Sequence, residues 1–149
     1  MQKDLPSFLR QIKQMRYPVK LDTSGWRPQM LRQLVDEKLI DYIAMDLKAP
    51  LKKYALLTGG WNDAKKIEQS MEIIIQSGID HELRTTVVKP LLREEDMPWL
   101  SSLAGKAKRY KLQRFIPHEN ILDKTLMRKD QYTQEEMFEL QAKWGKQPS

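Results

Sequence analysis

Two aspartates, Asp22 and Asp46, each come at the end of a short apolar segment that is typical of a β-strand. In parallel α/β folds the ligand site lies at the carboxyl ends of the strands, so polar residues there carry more functional weight than elsewhere. If the two strands are neighbours, the two carboxylates lie close together and can hold a cation or the amino group of a ligand. The alternative is that Asp22 starts an Asx-turn and Asp46 caps a turn.

Four further polar residues take comparable places after or within predicted strands. Thr23 lies in the turn after the first strand. Lys48 and Arg84 carry positive charges that can bind a carboxylate or phosphate of a ligand, although Lys48 is also explained as a solvated side chain. His118 follows the fourth strand and is either a ligand contact or an exposed loop residue without a role.

The chain contains no cysteine, which excludes disulfides, thiolate catalysis and cysteine-ligated zinc or iron–sulfur sites for this chain alone. Its two histidines form no H-E-x-x-H or other metal signature, and His81, at the start of a strand, is interpreted as structural. Gly59 and Gly60 lack the spacing of a phosphate-binding loop and predict a turn, and no G-x-S-x-G motif is present. We therefore expect neither a catalytic residue nor a metal ligand in this chain.

The chain is basic: 26 Lys and Arg residues against 20 Asp and Glu give a net charge of +6. This charge favours an anionic partner, but the basic residues are scattered, so ordinary solvated surface and a dedicated binding patch both remain open. The four tryptophans do not cluster in the sequence, and packing explains them better than stacking on nucleic acid. Nucleic acid is therefore not the expected partner. The tryptophans are Trp26, Trp61, Trp99 and Trp144.

The elements that must position these residues alternate regularly along the chain. Helices are predicted at residues 4–15, 28–35, 64–78, 94–103 and 133–144, and strands at residues 18–23, 40–47, 81–88 and 110–115. This order predicts an α/β fold with right-handed βαβ units and a parallel sheet of about four strands. Four strands cannot close a (β/α) barrel, so residues 19–21 and 111–115 are expected to expose sheet edges or to meet something that is absent from this chain.

The length and the apolar segments bound the class of protein. At 149 residues with 40% hydrophobic content, the chain has the size of one ordinary domain. Its longest apolar candidates, residues 39–45 and 71–75, are far shorter than a membrane span, so no membrane contact is expected. The first residues resemble neither a secretory signal nor a transit peptide, and we expect a cytoplasmic protein.

Four strings at these same positions carry a resemblance to a known family. They are VKLDTSG at residues 19–25, DYIAMDLKAP at 41–50, SGID at 77–80 followed by RTTVV at 84–88, and LQRF at 112–115. In this order they resemble the anaerobic ribonucleoside-triphosphate reductase activating proteins, which are relatives of pyruvate formate-lyase activating enzyme. The resemblance spans nearly the whole chain.

The resemblance implies an incomplete (β/α) partial barrel of the radical S-adenosylmethionine (SAM) type. In that family a [4Fe–4S] cluster cleaves SAM, and the resulting radical takes a hydrogen from a glycine of a large glycyl-radical enzyme such as anaerobic ribonucleotide reductase. Asp22, Thr23 and Asp46 resemble the positions that bind SAM and, in the pyruvate formate-lyase relative, a cation. Lys48, Arg84 and His118 fall where the family places further polar contacts to SAM.

The chain also departs from the family pattern. The C-x-x-x-C-x-x-C loop and the G-G-E-P segment are both missing, and MQKDLP at residues 1–6 resembles the family just downstream of G-G-E-P. We therefore expect residues 1–149 to form one partial barrel domain without the cluster-binding portion, as a truncated or separately encoded C-terminal half. Such a half is expected to be inactive without a cluster-bearing N-terminal half. The alternative is a non-catalytic module that binds an acidic protein or nucleic acid through its basic surface.

Overall fold

The computed structural model describes residues 4–60, 63–121 and 123–147. Its strands form a four-stranded parallel sheet in the order β1-β2-β3-β4, with helices alternating between them. The predicted α/β fold is therefore confirmed, and the arrangement is consistent with a partial βα barrel. The elements are α1 (Leu5–Gln14), β1 (Lys20–Thr23), α2 (Pro28–Asp36), β2 (Tyr42–Asp46), α3 (Tyr54–Leu57), α4 (Ala64–Gln76), β3 (Asp80–Val87), α5 (Met97–Ala104), β4 (Tyr110–Arg114) and α6 (Gln134–Trp144).

The longer connections contain structure that the sequence patterns did not predict. Between β2 and α4 lie a 3₁₀ turn at Leu51–Lys53 and the short helix α3. A second 3₁₀ turn, Glu94–Asp96, replaces the first turn of the predicted helix at residues 94–103, and a third lies at Lys124–Arg128. Within the described residues, no helix has the length and apolar character that a membrane span requires. Trp61 and the residues 1–3 of the MQKDLP string lie outside the described part of the chain.

The helix ends follow the chemistry of their sequences. Proline stands in the first turn of α1, α2 and α5, where its missing N–H costs no intrahelical hydrogen bond. At the start of α6 the backbone N–H of Glu136 donates to Thr133 Oγ1 at 3.1 Å, and the N–H of Thr133 donates to Glu136 Oε2 at 2.7 Å. These two reciprocal hydrogen bonds form a capping box.

The chain divides into two compact units, which we describe separately. The first comprises Met1–Leu47 and Asp63–Leu83 and contains α1, α2, α4, β1 and β2. Helices α2 and α4 pack against each other. The residues that form its core are apolar and almost fully buried: Leu31, Leu34, Ile43, Met45, Ile67 and Ile74.

The second unit comprises Lys48–Asn62 and Arg84–Ser149. In its interior the Tyr110 hydroxyl donates to Thr85 Oγ1 at 2.9 Å, and burial raises the pKa of Tyr110 to about 12. Tyr110 also forms an antiparallel bridge with Lys146, with N–O distances of 2.8 and 2.9 Å. Gln141 of α6 accepts from the N–H of Leu112 at 2.7 Å. Within the edge that we expected to be exposed at residues 111–115, the N–H of Leu112 is therefore bound by α6 of this chain, next to the bridge at Tyr110.

The carboxylate of Asp41 binds both Lys13 of α1 and the backbone just before β1. The Lys13 ammonium donates to both oxygens of Asp41, at 2.7 and 2.8 Å, and the N–H of Val19 donates to Asp41 Oδ2 at 2.6 Å. The hydrogen bond from Lys13, followed by that from the Val19 N–H, lowers the pKa of Asp41 below its usual value. The position of α1 therefore depends on an ionised Asp41.

The turn after β1 is fixed by Gly25. Its φ of +75° favours glycine, and a Cβ at this position would overlap the methyl group of the fully buried Met45. The N–H of Gly25 donates to Thr23 Oγ1 at 3.1 Å, and its carbonyl oxygen accepts from the buried Ser70 hydroxyl of α4 at 2.6 Å. The carboxyl end of β1 is thus tied to α4.

We predict that Gly25→Ala destabilises the protein by about 2–4 kcal/mol, because backbone strain at positive φ adds to overpacking against Met45. The matched control is Gly78→Ala: Gly78 has a φ of +73° but nothing within 4 Å of its added Cβ, so only the backbone strain of about 1 kcal/mol is expected. Urea unfolding followed by circular dichroism measures both. Equal losses for the two variants would contradict this account of Gly25.

We also predict that Asp41 stabilises the folded chain and that this stabilisation is lost in acid. Because its pKa is lower in the folded chain than in the unfolded one, its stabilising effect is complete above the unfolded value of about 4 and disappears as the pH falls through the folded value. Asp41→Asn should therefore cost up to about 1 kcal/mol at pH 7, as expected for a partly exposed ion pair, and progressively less below about pH 4. Glu68→Gln, an exposed carboxylate on α4, is the control. A pH-independent difference between Asp41→Asn and the parent would refute this assignment.

Candidate functional site

The register of the first two strands determines which side chains share a face. Asp22 pairs with Ala44, and Thr23 pairs with Met45. Since side chains alternate along a strand, Asp46, two residues beyond Ala44, lies on the same face as Asp22. Asp22 is exposed and Asp46 is half-buried. The structure therefore brings both predicted carboxylates to one face of neighbouring parallel strands, near their carboxyl ends.

Thr23 lies on the opposite face of β1 from Asp22. It is buried, and its hydroxyl accepts the Gly25 hydrogen bond that shapes the turn. The acceptor of the hydrogen bond described in this turn is the Thr23 hydroxyl, whereas the Asx-turn alternative makes the Asp22 carboxylate an acceptor. A role for Thr23 in cofactor binding remains a prediction, and its observed contacts are those of a residue that shapes the turn.

Three residues on the carboxylate face were missed by the sequence analysis. Lys20 reaches across β2, with its Nζ 5.4 Å from the centre of the Tyr42 ring and 3.8 Å from Glu82 Oε1 on β3. Glu82 is only 5% exposed, so its charge is largely removed from water. The sequence did contain a signal for this polar face. Polar residues recur at every second position of β1 and β3, whereas a strand that is buried on both faces is apolar throughout.

The chemistry of this face is acidic although the whole chain is basic. Within the first unit it presents the carboxylates of Asp22, Asp46 and Glu82 with the ammonium group of Lys20. Such a set is suited to a positively charged ligand group, such as an amine or a sulfonium. We call these four residues and Tyr42 the acidic face.

The remaining predicted site residues belong to the second unit. Lys48 and Arg84 are half-buried, and the backbone N–H of Lys48 donates to the Tyr54 hydroxyl at 3.3 Å. His118 is exposed, and its Nδ1 accepts from the N–H of Asn120 at 3.2 Å. Their roles in ligand binding remain predictions.

His81 is structural in its observed contacts. It is 2% exposed, and its Nδ1 lies 2.8 Å from the carbonyl oxygen of Ile79. Because a carbonyl oxygen can only accept, Nδ1 carries the proton. This agrees with the interpretation made from the sequence.

Two clefts of the first unit, of about 380 and 430 Å³, open beside α2 and α4. The larger is lined by Trp26, Arg27 and Lys66, among others, and the Lys66 Nζ lies 5.9 Å from the centre of the Trp26 ring. Trp26 is 44% exposed, so this aromatic ring is available to a partner. Neither cleft is lined by residues of the acidic face.

The family resemblance implies two cofactors, SAM and a [4Fe–4S] cluster, and the residues of this chain suit only the first. The carboxylates of the acidic face are hydrogen-bond acceptors, which is the chemistry that the positive groups of SAM would require. A [4Fe–4S] cluster does not fit, because its usual ligands are thiolates and the chain has no cysteine. In addition, no group of three or more His, Asp or Glu side chains among the described residues is arranged to hold a metal ion.

Comparison with known proteins gives one informative likeness. No family profile matches the sequence. The chain is 32% identical over 124 residues to a protein of Methanocaldococcus jannaschii that bears the provisional name of glycyl-radical enzyme activating enzyme. The match covers 80% of this chain and 52% of that protein, so the chain spans about half the length of this relative. The chain is therefore similar to about half of a protein that is provisionally named as an activating enzyme of glycyl-radical enzymes.

Proposed function

We propose that this chain is the SAM-binding half of a radical SAM activating enzyme and that residues outside these 149 supply the [4Fe–4S] cluster. The observation that carries the proposal is the acidic face, on which Asp22 and Asp46 lie on one side of neighbouring parallel strands. Homology to an activating enzyme over 80% of the chain supports the same conclusion. The absence of cysteine is why the cluster must come from elsewhere.

In this proposal the residues of the acidic face bind and orient SAM. Asp22 and Asp46 accept hydrogen bonds from its ammonium group, and charge-assisted bonds of this kind are about twice as strong as neutral ones. The hydrogen bonds around Thr23, Gly25 and Ser70 keep the carboxyl end of β1 in place. From the family resemblance we further propose that Lys48, Arg84 and His118 of the second unit make polar contacts to SAM.

The partner in this proposal is a glycyl-radical enzyme, and anaerobic ribonucleotide reductase is the specific candidate. When bound, SAM supplies the radical that takes a hydrogen atom from a glycine of that partner. This chain contributes binding and orientation to the reaction. Its own residues include no group that could perform the electron transfer on which the cleavage of SAM depends.

The proposal predicts SAM binding without SAM cleavage by the isolated chain. After anaerobic reconstitution with iron and sulfide, and with dithionite added as the electron donor, we expect no 5′-deoxyadenosine from the chain alone. Formation of 5′-deoxyadenosine should begin when a polypeptide carrying C-x-x-x-C-x-x-C is added. The double variant Asp22→Asn/Asp46→Asn should weaken SAM binding by roughly 10- to 100-fold, as expected for lost charge-assisted hydrogen bonds, and Glu68→Gln should leave it unchanged. Cleavage of SAM by the chain alone, or equal binding by the double variant and the control, would overturn the proposal.

A second function is favoured by a different observation. The larger cleft combines the exposed ring of Trp26 with the cations Arg27 and Lys66, and aromatic rings beside cations are typical of surfaces that bind single-stranded nucleic acid. On this alternative the chain is a non-catalytic module that binds an anionic partner.

Salt dependence distinguishes the two functions. The activating-enzyme proposal predicts no measurable binding of a fluorescent single-stranded oligonucleotide at about 50 mM salt. Binding that falls steeply with salt and is lost in Trp26→Ala, but retained in a Trp99→Ala control, would support the module instead. Fluorescence anisotropy is the measurement.

A further inference from the structure

The ammonium group of Lys20 has two carboxylates of the acidic face within its reach. Its Nζ is 3.8 Å from Glu82 Oε1 on β3, and Asp22 follows two residues later on the same face of β1. We propose that Glu82 is a positioning residue, which draws the Lys20 ammonium across β2 and so keeps it away from Asp22. This inference rests on the proposed function for the identity of the ligand that Asp22 binds.

The strand register gives Lys20 these two directions. Lys20 pairs with Tyr42 on β2. Two residues farther along β1, Asp22 pairs with Ala44. The side chains of Lys20 and Asp22 therefore lie on one face about 7 Å apart, a distance that a lysine side chain spans. To reach β3 instead, the same side chain must cross the ring of Tyr42.

The observed contacts show which direction Lys20 takes. Its Nζ lies 5.4 Å from the centre of the Tyr42 ring, so the side chain passes over that ring toward β3. The distance of 3.8 Å to Glu82 Oε1 exceeds that of a hydrogen bond, so attraction between opposite charges makes this contact. Among the residues that the structure describes, the ion pair of Lys20 is formed with Glu82.

Burial makes Glu82 the fixed partner and Lys20 the mobile one. Glu82 is 5% exposed, whereas the side chain of Lys20 is 50% exposed. Water screens the charge of a buried carboxylate less than that of an exposed one, so Glu82 attracts the ammonium more strongly. Asp22 is exposed, and an ion pair at its position is correspondingly weaker. The burial of Glu82 therefore decides the direction of Lys20.

The direction of Lys20 determines the charge that a ligand meets. While Lys20 is directed to Glu82, it leaves the oxygens of Asp22 to other positive groups. An ammonium group that turned to Asp22 would compete with the ammonium or sulfonium of a ligand for the same oxygens. Glu82 thus acts on ligand binding through Lys20 and needs no contact with the ligand.

A double-mutant cycle in the full chain tests this inference. Glu82→Gln keeps the shape of the side chain and removes its charge, so SAM binding measured by calorimetry should weaken roughly three- to fivefold, the size expected from a partly exposed competing ion pair. Adding Lys20→Met to Glu82→Gln should restore the affinity to within about twofold of the parent, because the competing ammonium is gone. The matched control is Glu68→Gln, an exposed carboxylate of α4, which should bind SAM as the parent does.

A second measurement follows Lys20 without any ligand. In the parent chain, nuclear Overhauser contacts should join the ε-methylene of Lys20 to the ring of Tyr42. In Glu82→Gln these contacts should weaken, and contacts from Lys20 to the β-methylene of Asp22 should appear. Glu68→Gln should show the parent pattern. Circular dichroism verifies that each variant folds, and the parent pattern tests the position of Lys20 without any substitution.

Three outcomes would overturn the positioning inference. They are contacts of Lys20 with Asp22 instead of Tyr42 in the parent, contacts that Glu82→Gln leaves unchanged, or SAM affinity that Lys20→Met does not restore in the Glu82→Gln chain. Each of them leaves the proposed function standing if Asp22→Asn/Asp46→Asn still weakens SAM binding. SAM that binds to no form of the chain contradicts the proposed function instead, and movement of Lys20 from Tyr42 to Asp22 would still support the positioning role of Glu82.

Discussion

Parallel pairing of β1 with β2 is the constraint from which the acidic face follows. In a sheet the register decides which residues lie side by side, and a shift by one residue would reverse the face of every side chain. With Asp22 opposite Ala44, the two aspartates share a face, and Thr23 and Met45 point into the helical layer. Apolar burial on the helical side holds this register, since Ile43 and Met45 are inaccessible to solvent. The chemistry of one face therefore depends on the packing of the other.

The turn at Gly25 joins the buried core to the end of the strand that carries Asp22. Its carbonyl is held by Ser70, its N–H by Thr23, and the space beside its Cα is filled by Met45. These contacts join the helical layer to the end of the strand that carries Asp22. A ligand site at the carboxyl end of a parallel strand needs a fixed backbone. A small displacement of a binding side chain strongly weakens its interaction with the ligand.

Charge is distributed unevenly in this molecule. The chain as a whole is basic, yet the acidic face of its first unit carries three carboxylates and one ammonium group. Net charge indicates an anionic partner, whereas the local arrangement indicates a cationic ligand. The two statements are compatible, because net charge acts on encounter at long range and a binding face acts at contact distance. The acidic face is thus the local feature on which the proposed binding of SAM rests.

The sequence by itself determined the α/β class, the order of helices and strands, the capping box before α6 and the exclusion of a cysteine-ligated cluster. These features are local or compositional: periodicity, capping residues and residue types can be read from neighbours in the chain. It also indicated that Asp22 and Asp46 end strands. Only the tertiary structure decided that Thr23 turns into the core, that Lys20 reaches Glu82, and that the N–H of Leu112 in β4 is bound by Gln141. Each of these depends on strand register or on contacts between residues far apart in the chain, and the short-range pattern of a sequence does not specify such contacts.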